Sequence, residues 1–218
     1  MSVELAARLI DVLGGLLLVT MLLILAAGQV FRAIYAVAAQ AVFLGIAGAV
    51  LAAATGNVDL WVIAGITILA KAILLPWLLI RVVRRVHISR EIEPVIPVHL
   101  TLTLAAAIVV LAFHLNASLG PVRQTVTGNA LPVGLTLILI GVLVMASRRK
   151  ALVQMVGLFA SENGIFFTAM AISQGMPLII EIGVILDVIL GALVMGILVL
   201  RVRSAVDADI ADLEELRG

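Results

Sequence analysis

Cysteine is absent from this 218-residue chain. Its absence excludes disulfides, thiol chemistry and any Cys-ligated zinc site or iron–sulfur cluster. Charge is scarce as well. Asp, Glu, Lys and Arg make up 12% of the residues against 64% for the apolar set, a balance that excludes an ordinary soluble domain. The net charge of +1 offers nucleic acid no electrostatic footing. Three histidines, His87, His99 and His114, are scattered along the chain, and no two of them sit at matching depth to hold a haem. The last apolar run contains no lysine, so a retinal Schiff base has no anchor there. The chain is therefore expected to hold no cofactor, metal or redox centre of its own.

Long apolar runs fill the sequence instead. A helix needs about 20 such residues to cross the hydrocarbon core. Seven stretches qualify: 5–27, 34–54, 60–80, 95–115, 131–147, 151–173 and 178–200. The fold class expected is all-α, a polytopic membrane protein of seven transmembrane helices. The first run resembles a signal peptide in length, but Glu4, Arg8 and Asp11 replace a basic leader, so it is read as a spanning helix. Arg8 and Asp11 are expected to form a local salt bridge. Gly56-Asn57 and Gly128-Asn129 mark turns. Pro132 and Pro177 fall in first helical turns, where a missing N–H does no harm, and Pro94 and Pro97 open the fourth span in the same way.

Lys and Arg in the connections set the orientation. Eleven of them, Arg32 and Arg148–Lys150 included, lie on one side and only Arg8 and Arg123 on the other. The N-terminus is thus expected outside and the C-terminus in the cytoplasm, in the inner (plasma) membrane. Trp61 and Trp77 stand near opposite ends of span three, as an aromatic belt requires. In the tail, 201–218, Ile210, Leu213 and Leu216 recur every three residues among acidic neighbours. That pattern suits either a solvated tail or a short amphipathic docking helix.

Charged groups within the apolar runs are the candidate functional residues. Each one costs about 2.5–3.5 kcal/mol at the bilayer centre, so such groups pair, stay neutral or serve ion movement. Glu162 lies about 16 Å from the cytoplasmic end of span six. Its helical neighbours Leu158, Phe159, Ile165 and Phe166 form an apolar collar. It is read as a proton carrier, with a neutral hydrogen-bonded lock as the alternative. Asp187, about 20 Å from the cytoplasmic end of span seven, has Gly183 and Gly191 one turn to either side. Proton carriage and close helix packing both fit that stripe. Glu181 is either an outer station of a proton route or a carboxylate placed to suit a helix N-terminus. Lys71 lies about 14 Å from the cytoplasmic end of span three, too deep for its stem to snorkel easily. Pro76 cannot donate to the Ala72 carbonyl, so a kink is expected beside Lys71. The natural partners of Lys71 are Glu162 and Asp187. Gln40 and His99 are accessory candidates. His99, about 6 Å below the cytoplasmic surface, is either a proton feed or an interfacial histidine.

These residues also carry a resemblance. Ser161-Glu162-Asn163-Gly164, the stretch from Pro177 through Glu181 and Gly183 to Asp187, and the segment from Ala70-Lys71 to Pro76 resemble the hydrogenase-4 component E family. So do the segment from Gln29 and Arg32 to Ala39-Gln40 and the ending Leu216-Arg217-Gly218, and the likeness covers nearly the whole chain. The last three spans also resemble subunit K of complex I and the C-type subunit of multisubunit cation/proton antiporters. In that smaller module the second-helix acid falls where Phe159 stands here, and Glu162 comes three residues later.

The resemblance implies four N-terminal helices over 1–128, a subunit-K-like module over 129–203 and a cytoplasmic tail over 204–218. It also implies a proton-translocating membrane subunit of a group 4 [NiFe]-hydrogenase or formate-hydrogenlyase-like complex. Antiporter-like membrane subunits are the implied partners. A cytoplasmic arm, reached through the C-terminal tail, would hold the nickel–iron and iron–sulfur centres. Two further roles use the same residues differently: a scaffold in which the buried charges lock helices, and a subunit of a multisubunit cation/proton antiporter. A free-standing antiporter would need a pair of inverted repeats, and none is visible in the sequence.

Overall fold

The computed structural model describes residues 2–85, 92, 94–118 and 129–173. Among them the chain is helical throughout. The helices are α1 (Val3–Ala26), α2 (Val30–Thr55), α3 (Val58–Thr67), α4 (Leu75–Arg85), α5 (Val98–Ser118), α6 (Ala130–Ser147) and α7 (Ala151–Ser173). A π-helical segment, Ile68–Leu74, joins α3 to α4 without a break. Counting Val58–Arg81 as one span, six helices are long and apolar enough to cross a membrane. They correspond to the first six expected runs. The seventh, 178–200, lies outside the described residues, as does the 201–218 tail.

Local chemistry sets the ends. The Ser2 hydroxyl accepts from the Leu5 N–H to open α1. Gly56 closes α2 at φ +73°, the left-handed conformation that glycine adopts at no steric cost, and Asn57 then caps α3 by accepting from the Asp59 N–H at 2.9 Å. The fourth span starts later than expected. Pro94 and Val95 belong to a link, in which Pro94 pairs with Arg148 and the Val95 N–H donates to the Ser147 carbonyl at 2.9 Å. Helix α5 begins only after Pro97, whose carbonyl accepts from Leu100 and Thr101. Pro132 does sit in the first turn of α6, as expected. The expected Arg8–Asp11 bridge is not formed. Arg8 pairs with Glu4 at 2.7 Å, one full turn away, and Asp11 instead accepts from Asn129 at 3.0 Å, tying α1 to the start of α6.

Helix α2 is the hub of the bundle. It packs on α1, α3, the π segment, α4 and α7, while α6 and α7 form the closest pair. Glycines explain that closeness. Gly134 and Gly141 on α6 face Gly164 and Gly157 on the antiparallel α7, each pair seven residues apart along its helix. A Cβ on Gly141 would lie 2.6 Å from the Gly157 carbonyl oxygen, and one on Gly134 would lie 2.8 Å from that of Gly164. Such backbone-to-backbone approach is how helices associate where apolar burial gives no preference between lipid and protein. The Ser161 hydroxyl also crosses the seam, donating to the Ile138 carbonyl at 3.1 Å.

Gly141→Val should therefore destabilise the protein by about 3 kcal/mol, the upper end of overpacking effects, because the obstructing atoms are backbone. Gly15→Ala, where nothing lies within 4 Å of an added Cβ, should stay within about 0.5 kcal/mol of wild type. Chemical denaturation of both variants in detergent checks the contrast.

Candidate functional site: a buried ion pair and an amide pair

The site starts with a proline. A residue at position 76 without an N–H cannot continue the i→i−4 ladder, and the chain answers by widening just before it. The Leu75 N–H donates to the Ala70 carbonyl, five residues back, and residues 68–74 adopt the π form. Lys71 sits within this wide segment. Where a kink is expected beside Lys71, the structure has a π turn. Helix α2 makes room for the segment at Gly45, where an added Cβ would lie 2.4 Å from Ile68.

Lys71 reaches α7. Its Nζ lies 3.5 Å from Glu162 Oε2, and the two residues are only 8% and 5% exposed. Of the two candidate acids, Glu162 is the one whose pairing lies within the described residues. Phe159 and Phe166 of its expected collar are buried, whereas Ile165 turns outward. Beside Glu162, Asn163 donates through Nδ2 to Gln40 Oε1 of α2 at 3.1 Å. Gln40, fully buried, donates onward to the Leu17 carbonyl of α1 at 3.4 Å and to Met21 Sδ at 3.7 Å. A polar line therefore runs from the π segment through α7 and α2 to α1. Gln40 and Glu162 lie about 15 and 16 Å along helices that start on the same side, so the line crosses the bundle at mid-depth. Asn163 Oδ1 is buried, with no hydrogen-bond partner among the described residues.

His99 is exposed in the first turn of α5, a helix packed mainly on α6 and α1, and does not join this group. Asp187 and Glu181 fall outside the described residues. Among those described, no cluster of His, Asp and Glu is arranged to hold a metal ion.

The sequence pattern groups Arg148 with the cytoplasmic loop cations, and the structure buries it to 2% exposure. Its guanidinium donates through Nη2 to the Leu25 carbonyl at the C-terminal turn of α1, where a cation suits the helix dipole. Its own carbonyl accepts from Gln154 Nε2 at 2.8 Å. Desolvation lowers the Arg148 pKa from its ordinary value. Nothing in the run Arg148-Arg149-Lys150 distinguishes the buried member. The seven-residue glycine spacing on α6 and α7, by contrast, is readable in the sequence.

The architecture defines a helical bundle with membrane-length spans and an ion pair at its centre. Among curated proteins, the chain is 37% identical over 156 residues to the uncharacterized protein Rv0085 of Mycobacterium tuberculosis. The match covers 70% of this chain and 71% of that protein, and the chain belongs to the same family. No family model and no solved structure matches.

Lys71→Met strands a buried carboxylate and should cost about 3–5 kcal/mol, most of it restored in Lys71→Met/Glu162→Met. Denaturation of the single and double variants in detergent measures both values.

Proposed function

We propose that the chain is a membrane-arm subunit of a multisubunit energy-converting hydrogenase or complex I-like assembly. In this role its intramembrane charges contribute to a proton or cation path coupled to redox chemistry in other subunits. The observation that carries the proposal is the Lys71–Glu162 pair, 3.5 Å apart and buried at mid-bundle beside the Gln40–Asn163 amide pair. Isolated charges at that depth are costly, and a paired acid can exchange one state for another. Protonating Glu162 releases Lys71, and ionising it re-forms the pair. A change of charge or hydration in a neighbouring subunit would bias that balance. The resemblance of the segments around Lys71, Glu162 and Asp187 to hydrogenase-4 component E supports the same role.

On this proposal the chain has seven spans, with its N-terminus outside and its C-terminus in the cytoplasm, in the inner membrane. Asp187 continues the path from Glu162 and Glu181 is its outer station. Nickel–iron and iron–sulfur centres reside in partner subunits. Antiporter-like subunits cover the apolar faces, of which α5, the least buried of the six spans, presents much. The scaffold alternative draws on the α6–α7 glycine seam and treats the Lys71–Glu162 pair as a lock between helices.

The test isolates the native assembly in mild detergent, identifies its subunits by mass and assays nickel and iron. It then compares proton uptake by inverted vesicles bearing wild type or Glu162→Gln. The expected outcome is nickel and iron with hydrogenase-like partners, and a variant that assembles fully but pumps at under about one tenth of the wild-type rate, in the range for loss of a proton-transfer group. Full pumping by an assembled Glu162→Gln complex removes Glu162 from the path. Loss of assembly instead favours the scaffold role.

A further inference from the structure

A groove of about 480 Å³ opens along the outer surface between α1 and α2, within the roughly 300–1,000 Å³ of small-ligand sites. Its floor is alanine, with Ala27, Ala36 and Ala39 among the lining residues, and Leu23 forms one wall. Arg32 and Tyr35 also line it, three residues apart and so on one face of α2. Tyr35 is 59% exposed and Arg32 is exposed too. Among the described residues no hydrogen bond or ion pair engages the Arg32 guanidinium. The groove runs from the α1–α2 turn to Thr20 and Ala39, which lie about 9 and 13 Å into their helices. It is thus charged at its mouth and apolar along its length. Gln29, which precedes α2, makes no side-chain capping bond, so the positive end of the helix dipole at the mouth carries no cap.

We propose that this groove holds an anionic phospholipid. The headgroup phosphate lies on Arg32 with the Tyr35 hydroxyl beside it, and one acyl chain occupies the alanine-floored channel. Three features select this occupant. The guanidinium matches a phosphate in charge and in fork geometry. The groove is apolar along its length, as an acyl chain requires. Positive-inside orientation places Arg32 at the cytoplasmic headgroup level, where anionic lipids concentrate. The inference rests on the chain spanning a membrane in the proposed orientation, and not on its role in a hydrogenase-like complex.

The test loads the full chain, purified in mild detergent, with phosphatidylglycerol or phosphatidylcholine of matched chains and counts retained lipid by native mass spectrometry. Phosphatidylglycerol should be retained about fivefold over phosphatidylcholine, the preference one basic group near a membrane surface provides. Arg32→Gln should erase the preference and Arg32→Lys should keep most of it. Ala39→Leu, which fills the channel, should reduce phosphatidylglycerol retention with Arg32 intact. Equal retention of the two lipids by wild type overturns the proposal, as does an undiminished preference in Arg32→Gln. Full displacement of the lipid by millimolar inorganic phosphate marks a bare anion site and also overturns it. So does an Ala39→Leu variant that keeps its lipid while losing a co-purifying protein, which assigns the groove to a partner's helix. Retention of no lipid at all overturns it too, and would point to failure of the membrane reading itself.

Discussion

Two opposite charges held out of water constrain everything around them. Lys71 and Glu162 each lose their hydration in the bundle, and their mutual approach at 3.5 Å offsets part of that loss. Close approach needs helices that can come near each other and a backbone that aims the lysine. Gly45 on α2 admits the segment carrying Lys71, and Gly134, Gly141, Gly157 and Gly164 draw α6 against α7, which carries Glu162. The π turn before Pro76 gives Lys71 its place on span three. A regular helix would put residue 71 about 100° further round the axis relative to the following turn, since the extra residue is what a π turn inserts. The packing of small residues and the position of one proline thus serve a single electrostatic requirement.

The amide pair extends that requirement. Gln40 and Asn163 bond to each other, and Gln40 bonds on to a carbonyl of α1, so the amide pair ties α7, α2 and α1 together. Buried networks of this kind fix one arrangement of the helices, because any slip leaves amides unpaired in a low-dielectric medium. At the C-terminal turn of α1, Arg148 performs a comparable service by bonding the Leu25 carbonyl while pairing with Pro94. The bundle is consequently held at two depths by polar side chains and along α6 and α7 by glycine contacts. A proton path through such a frame would run past rigid neighbours, and the group that changes state would be the ion pair itself.

The six membrane-length helices were legible from apolar length, and Lys71 and Glu162 from the rarity of charge at their depth. The neutral Gln40 stood out as an accessory, but its bond to Asn163 depends on which faces of α2 and α7 meet. The effect of Pro76 was half legible: the lost N–H was evident, and the chain's way of absorbing it was not, since a kink and a π turn both satisfy the same local chemistry. The crossed glycines of α6 and α7 are present as a seven-residue spacing, yet spacing alone does not say that those two stripes face each other. Arg148 was illegible for a deeper reason. Charge bias assigns a residue to a side of the membrane but not to the inside or outside of a fold, which here follows from the contacts of Arg148 with Leu25 and Pro94.

The direct test of this account is a distance. Solid-state NMR on the full chain in lipid bilayers, with 15N in lysine side chains and 13C at glutamate carboxyls, reports dipolar coupling between Lys71 Nζ and Glu162 Cδ. Lys71→Met and Glu162→Gln variants assign the signals. The account predicts strong dephasing of the Glu162 carboxyl by the Lys71 nitrogen, as a 3.5 Å nitrogen–oxygen approach requires. A Glu162 carboxyl whose signal is indifferent to Lys71 would contradict it.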